Sequence, residues 1–259
     1  MSVARITHIG GPTTLIEVDG WRLLTDPTFD PPGRRYTFGW GSFSVKLAGP
    51  ALSVDDLPAI DAVLLTHDQH ADNLDDLGRA LLPRVGAVVT TVAGAARLGG
   101  GAVGLAPWSS HTLSRPGRPS LSITATPCRH GPPLSRPITG EVIGFALEWP
   151  EQEHGAFWVS GDSVLYDGLR QVGGRFDVGT VLLHLGAVRF GVTGPLRYSM
   201  TGRDGVELCS LLRPQTVIPV HYEGWSHFSQ GRSGVAEAFA AGGLDAQWLK
   251  LGAPRTVSI

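Results

Sequence analysis

Thr66-His67-Asp68-Gln69-His70-Ala71-Asp72-Asn73 lies between an apolar run, Ala62-Val63-Leu64-Leu65, and a segment whose leucines at 74, 77, 81 and 82 recur at helical spacing. The apolar run reads as a buried strand and the leucine segment as a helix. Two imidazoles and two carboxylates thus fall on the turn between them, and layered α/β proteins place their sites at the carboxyl ends of strands. Nitrogen and oxygen donors of this kind suit zinc, iron or manganese. The alternative is a polar loop whose acids cap the next helix.

The chain has 259 residues, 42% of them hydrophobic and 17% charged, a balance that supports a large core and excludes disorder. Without a linker, repeat or low-complexity segment, residues 1–259 are expected to form a single domain. A formal net charge of −2 argues against a nucleic-acid partner, because phosphate binding shows as a basic surplus. Only Lys46 and Lys250 are lysines. Cys128 and Cys209 lie far apart and form neither a disulfide framework nor a zinc-finger pattern. The first residues lack the apolar core of a signal peptide, and no apolar run approaches the ~18 residues of a membrane span. The expectation is a soluble, cytoplasmic protein with a small-molecule substrate, no nucleic acid and no membrane insertion.

Residues 3–9, 13–18 and 21–25 read as strands separated by Gly10-Gly11-Pro12 and by Asp19-Gly20, a hairpin signal. Residues 27–58 are rich in Pro, Gly and aromatics without periodicity, and a loop this long suggests a substrate lid. From 59 onward, strands near 60–65, 87–91, 103–105, 121–126, 142–149, 156–160, 178–183 and 216–220 mix with helices near 73–82, 93–98, 165–172, 202–212 and 233–241. Residues 247–251 suggest a last strand. Strands first and alternation later imply an α/β protein with strands layered between helices.

Four further strands end in candidate ligands: Cys128-Arg129-His130, Gly161-Asp162-Ser163, His184, and His221-Tyr222-Glu223. One histidine after a strand is unremarkable, but the repetition implies convergence if the strands share facing sheets. This order of motifs resembles the metallo-β-lactamase fold superfamily. His8-Ile9-Gly10-Gly11-Pro12-Thr13 and Leu23-Leu24-Thr25-Asp26-Pro27 look like its lactonase-like branch, which includes relatives of ascorbate-6-phosphate lactonase and N-acyl-phosphatidylethanolamine phospholipase D. The resemblance runs from residue 6 to about residue 228.

The resemblance implies a four-layer αββα sandwich with one or two divalent ions, zinc first and manganese or iron as alternatives, at the edge of two sheets. By position it implies His67, His70, His130 and Asp162 for one ion and Asp72, Asp162 and His221 for a second. Asp68 occupies the family's first histidine position and competes with His67. Asn73 stands where the family has a histidine, which puts the second ion in question. Asp72 and Asp162 are the candidate catalytic residues, orienting the attacking water and taking its proton. His184, like Asp68 and Asn73, is a candidate ligand or supporting residue. His8 is read as a supporting or solvent-facing residue, and His111, His154 and His227 as structural or solvated. Arg34, Arg35, Arg189 and Arg197 are candidate anion clamps, and Trp40, Trp108 and Trp225 candidate pocket walls. The expected function is metal-dependent hydrolysis of a small lactone, ester or phosphoester. The alternatives are a phosphodiesterase acting on a nucleotide or lipid head group, and a non-catalytic metal-binding or scaffold protein.

Overall fold

The computed structural model describes residues 3–39, 41–150 and 152–259, so Trp40 lies outside the described residues. The chain opens with the antiparallel meander β1 (Val3–Gly10), β2 (Thr13–Val18) and β3 (Trp21–Thr25). Asp19 and Gly20 both take positive φ, 44° and 81°, as a two-residue hairpin requires. A separate hairpin follows, β4 (Arg35–Gly39) and β5 (Ser42–Val45). β6 (Ala62–Leu64), α1 (Asp76–Leu81), β7 (Val88–Thr91), α2 (Val92–Leu98) and β8 (Val103–Leu105) then extend the first sheet, with β6 to β8 parallel to β3.

The second sheet holds β9 (Ser110–Leu113), β10 (Leu121–Pro127), β11 (Ile143–Glu148), β12 (Ala156–Val159), β13 (Val178–His184) and β14 (Thr216–Val220). Its intervening helices are α3 (Arg136–Thr139), α4 (Asp167–Arg170), α5 (Gly202–Leu212) and, after β14, α6 (Arg232–Ala241). Finally β15 (Arg255–Ser258) returns to pair with β1 at the edge of the first sheet. The expected strand at 247–251 is therefore corrected. Gln247 spends its amide on the Val217 carbonyl at 2.8 Å, and the sheet edge beside β1 is taken by Arg255–Ser258. β9, α3 and the β4–β5 hairpin are additional to the sequence reading.

Burial explains the layers. Ile6, Ile16, Leu23 and Leu64 of one sheet pack with Ile123, Phe145, Phe157 and Ile218 of the other in the central core. The second sheet's outer face packs Trp158, Val181 and Leu183 against Leu208, Val235 and Phe239 of α5 and α6. The first sheet's outer face packs Leu24, Val63 and Leu65 with Leu74 and Leu81. Strands covered on both faces need apolar residues throughout, as β13 shows with every residue buried. The result is the expected αββα sandwich.

The 27–58 segment is held in place by one lysine. Lys46, 3% exposed, sits 2.7 Å from the fully buried Asp75 carboxylate. Asp75 also accepts from the amides of Phe29, Asp30 and Gly78, so it caps α1 and anchors the segment together. A side chain at Gly78 would collide with the Pro27 carbonyl, which is why the helix starts so close to this loop. Lys46→Met leaves the buried carboxylate with its amide donors but no countercharge, and should lower stability by ~3 kcal/mol in urea unfolding.

Candidate metal centre

The sheet pairings bring the candidate residues to one edge. β3, β6 and β7 run parallel in one sheet. In the other, β12, β13 and β14 are parallel, and β10 shares their direction because it is antiparallel to β11, itself antiparallel to β12. All the carboxyl ends therefore open on the same rim, where backbone turns aim the side chains inward. Two of those turns use left-handed backbone at non-glycine residues, Asp26 at φ 32° and His221 at φ 58°. Such conformations cost ~1–3 kcal/mol each and persist where the surroundings enforce them.

Two groups of three potential ligands result: His67, His70 and His130, and Asp72, Asp162 and His221, all buried. In the first, His67 Nε2 and His130 Nε2 lie 3.0 and 3.2 Å from His70 Nδ1. The outer nitrogens are engaged elsewhere. His130 Nδ1 donates to the Tyr198 carbonyl at 2.6 Å. Thr66 gives its hydroxyl proton to Asp26, so its oxygen accepts from His67 Nδ1 at 3.0 Å. These bonds leave the inward Nε2 atoms of His67 and His130 as free lone pairs, the arrangement that metal-binding histidines use. Burial, reinforced by neighbouring imidazoles, holds His67 well below the usual histidine range and His130 down to about 3. Both are therefore neutral donors.

In the second group, His221 Nε2 is 3.5 Å from Asp72 Oδ2, and His221 Nδ1 is 3.2 Å from Asp162 Oδ1. Burial, with Asp72 and Asp26 as like-charged neighbours, pushes the Asp162 carboxyl well above the usual range. Burial also opposes ionisation of Asp72, but the imidazoles of His221 and His227 outweigh it and hold Asp72 well below that range. Both oxygens of Asp162, both ring nitrogens of His221 and Asp72 Oδ1 are buried without a hydrogen-bond partner. Each such orphan costs ~1–3 kcal/mol in a dry interior. A divalent ion could take one ring nitrogen of His221 and one oxygen from each acid, so the donor set fits the metal that the chemistry of these residues implies.

The remaining candidates sort by contact. Asp68 is not available as a ligand: Arg97 grips both its oxygens at 2.8 and 2.5 Å, which leaves the first position to His67. Asn73 turns its amide nitrogen to Asp26 Oδ2 at 3.3 Å and Thr66 Oγ1 at 3.4 Å, a supporting contact. His184 is buried 3.6 Å from Asp26, and His8 Nε2 donates to the Gly11 carbonyl at 2.9 Å. Asp162 groups with Asp72 and His221, not with the three imidazoles as one of its two expected assignments had it. Arg34 pairs with Asp30 and Asp76, Arg197 with Asp204, and Arg35 lies over the Phe43 ring, so these three are engaged. Trp108 packs under Arg175.

Two residues were missed or misread. Asp26 is completely buried and accepts from Thr66 N at 2.7 Å. An acid immediately after an apolar strand was its signal. His227, read as structural or solvated, instead lies 3.0 Å from Asp72 Oδ2. Its nearest signal was the spacing from His221, which alone specifies nothing. Around it Phe38, Phe190 and Trp225 form an aromatic wall, with Phe38 5.3 Å from both His70 and His227. The proposed lid thus covers the site through Phe38, and Trp225 is the expected wall residue.

Known proteins resemble this chain. Residues 21–222 match the model of the beta-lactamase superfamily domain. A UPF0173 metal-dependent hydrolase from Cupriavidus taiwanensis is 30% identical over 93% of this chain and 77% of its own length. Among solved structures, an isothiocyanate hydrolase from Delia radicum gut bacteria superposes with a TM-score of 0.82 at 20% identity, covering 98% of this chain and 100% of that one. A possible metal-dependent hydrolase from Veillonella parvula gives 0.81 at 19% identity, over 98% and 99%. With the sandwich, the rim of strand ends and the two ligand groups already in place, the match over residues 21–222 establishes that the chain belongs to the beta-lactamase superfamily.

Proposed function

We propose that this chain is a metal-dependent hydrolase that uses an activated water on a small, uncharged lactone or ester, as its resemblance to the lactonase-like branch suggests. The observation that carries the reading is the convergence of three neutral imidazoles beside a second group containing two carboxylates. His67, His70 and His130 would hold one ion and Asp72, Asp162 and His221 a second. Zinc suits the nitrogen set best, with manganese or iron as alternatives for the oxygen-rich set. A bound divalent ion supplies hydroxide at neutral pH, by lowering the pKa of water from 15.7 to ~7, and polarises the bond under attack.

The chain's own residues supply the rest. Asp72, or Asp162 beside it, takes the proton of the attacking water and orients its lone pair. Asp26 and Thr66 fix the His67 ring, and the Tyr198 carbonyl fixes His130. A cavity of about 600 Å³ reaches His130 and is walled largely by apolar residues, among them Leu105, Pro107 and Leu134. That volume suits a small ligand. Of its arginines, Arg136 pairs with Glu141, while Arg129 lies over the Tyr166 ring with its Nε buried and without a hydrogen-bond partner. Arg34 and Arg197 are paired with carboxylates, and the largely apolar lining favours an uncharged substrate over a phosphoester. The isothiocyanate hydrolase named above likewise bears the name of a compound without a phosphate.

Two experiments test this. Metal-loaded protein should hydrolyse apolar lactones and carboxylic esters faster than phosphodiesters; the reverse preference would overturn the substrate assignment. Separately, His67→Ala should lose metal and cut kcat/KM by more than ~100-fold. Asp68→Asn should keep the full metal content and lose only about 1 kcal/mol of stability, because its Arg97 partner is half-exposed. Metal lost from the Asp68 variant but not from the His67 variant would reverse the ligand assignment.

A further inference from the structure

The geometry points to His227 as a positioning residue: its ring holds the Asp72 carboxylate in place for the second group without itself belonging to that group. The inference rests on the metal-binding reading above. His227 comes from the loop that follows β14, six residues after His221, and no sequence motif marks it. Its Nε2 stands 3.0 Å from Asp72 Oδ2, while the donor atoms that gather for one ion are those of Asp72, Asp162 and His221. Beyond the contact with Asp72, neither ring nitrogen of His227 has a hydrogen-bond partner among the described residues. A carboxylate oxygen offers two lone-pair directions. Oδ2 can therefore face His227 and still leave a lone pair, with the whole of Oδ1, to the group.

The ring is fixed from every other side. Trp225 stacks on it at 5.9 Å, and Phe38, Phe190 and Phe228 meet it at 5.3, 5.4 and 4.6 Å. Its loop is tied down as well, since the Arg189 amide bonds the His227 carbonyl and the Ser226 amide bonds the Val45 carbonyl, both at 3.0 Å. The side chain is 1% exposed. A residue that only filled this aromatic wall would be better as another phenylalanine, because burying the polar atoms of an imidazole costs free energy unless they meet a polar partner. What the imidazole adds is a nitrogen facing Asp72.

Asp72 has few other means of support. Its Oδ1 is buried without a hydrogen-bond partner, and the amide nitrogen of the neighbouring Asn73 goes to Asp26 and Thr66 instead. The other imidazole near Oδ2 is that of His221, at 3.5 Å, and His221 is a donor of the same group. Residues that ligate metals are themselves oriented by outer hydrogen bonds. His67 has Thr66 for this purpose and His130 has the Tyr198 carbonyl. His227 is the corresponding partner of Asp72. The role requires a proton on Nε2, since an ionised carboxylate only accepts.

The test is zinc titration of the metal-free protein, comparing wild type with His227→Phe and His227→Gln by elemental analysis and calorimetry. Wild type should take two equivalents. The phenylalanine variant fills the same place in the wall without a donor, and should weaken the second equivalent ~10–100-fold while leaving the first unchanged. The glutamine variant restores an N–H donor without an imidazole, and should return the second equivalent close to wild-type affinity. Wild-type affinity in the phenylalanine variant would overturn the inference, because the ring would then be wall alone. A glutamine variant as weak as the phenylalanine one would also overturn it, as would loss of the first equivalent along with the second. A further readout needs no variant to fold: nitrogen-15 spectra of the metal-free wild type should show a proton on His227 Nε2, and a proton on Nδ1 alone would overturn the role. A wild type that binds a single equivalent overturns this inference only, whereas a wild type that binds none brings down the hydrolase reading itself.

Discussion

The carboxylate of Asp26, fully buried at the end of β3, is the constraint on which the rim of the sandwich depends. A charge removed from water must be matched by donors, and the chain supplies them from the segment that follows β6. Thr66 gives both its amide and its hydroxyl, Asn73 gives its amide nitrogen, and His184 stands 3.6 Å away. These contacts draw the Thr66–Asn73 turn against the first sheet and His184 of the second sheet toward it. His67 then inherits its tautomer from Thr66. Local chain geometry, sheet-to-sheet alignment and ligand chemistry are therefore consequences of one buried acid.

The two ligand groups differ in charge as well as in position. Burial holds His67, His70 and His130 below the usual histidine range, so as neutral donors they would leave the charge of an ion among them uncompensated. Asp72 and Asp162 bring negative charge that would offset a second ion. That asymmetry suits a division of labour, with polarisation at the imidazole group and water orientation and proton acceptance at the carboxylate group. Asp72 and Asp162 are pushed in opposite directions by their surroundings, Asp72 by the imidazoles that face it and Asp162 by burial beside other acids.

Much of this was readable from the chain because it depends on local order. Apolar runs bounded by Gly, Pro or His mark strands, and the polar residues just beyond them, such as His130, Asp162 and His221, mark the rim. What was not readable depends on contacts between residues far apart. Nothing near Asp68 in sequence indicates that Arg97 would claim it, and that pairing decides between Asp68 and His67. Asp26 needed its distance to Thr66, forty residues on, to show its role. The last strand was misplaced because Gln247–Leu251 and Arg255–Ser258 have similar patterns, and only the free edge of β1 selects between them. His227 carries no periodic signal at all; its role follows from the hairpin and loop that fold over it.

That enclosure links the buried lysine to the chemistry. Lys46 and Asp75 fix the base of the β4–β5 hairpin, and Leu47 and Val45 bond the 224–226 loop across from it. Phe38 and Trp225 are thereby pressed together over His70 and His227. Aromatic side chains at this position exclude water from one side of the ligand groups, and charges interact more strongly where water is scarce. The same wall presents only an apolar face to an incoming molecule, while the arginines at 34 and 197 are already matched to carboxylates. Attraction of an anion and exclusion of water are competing demands on a site's rim, and the packing of Phe38 and Trp225 over His70 and His227 serves exclusion.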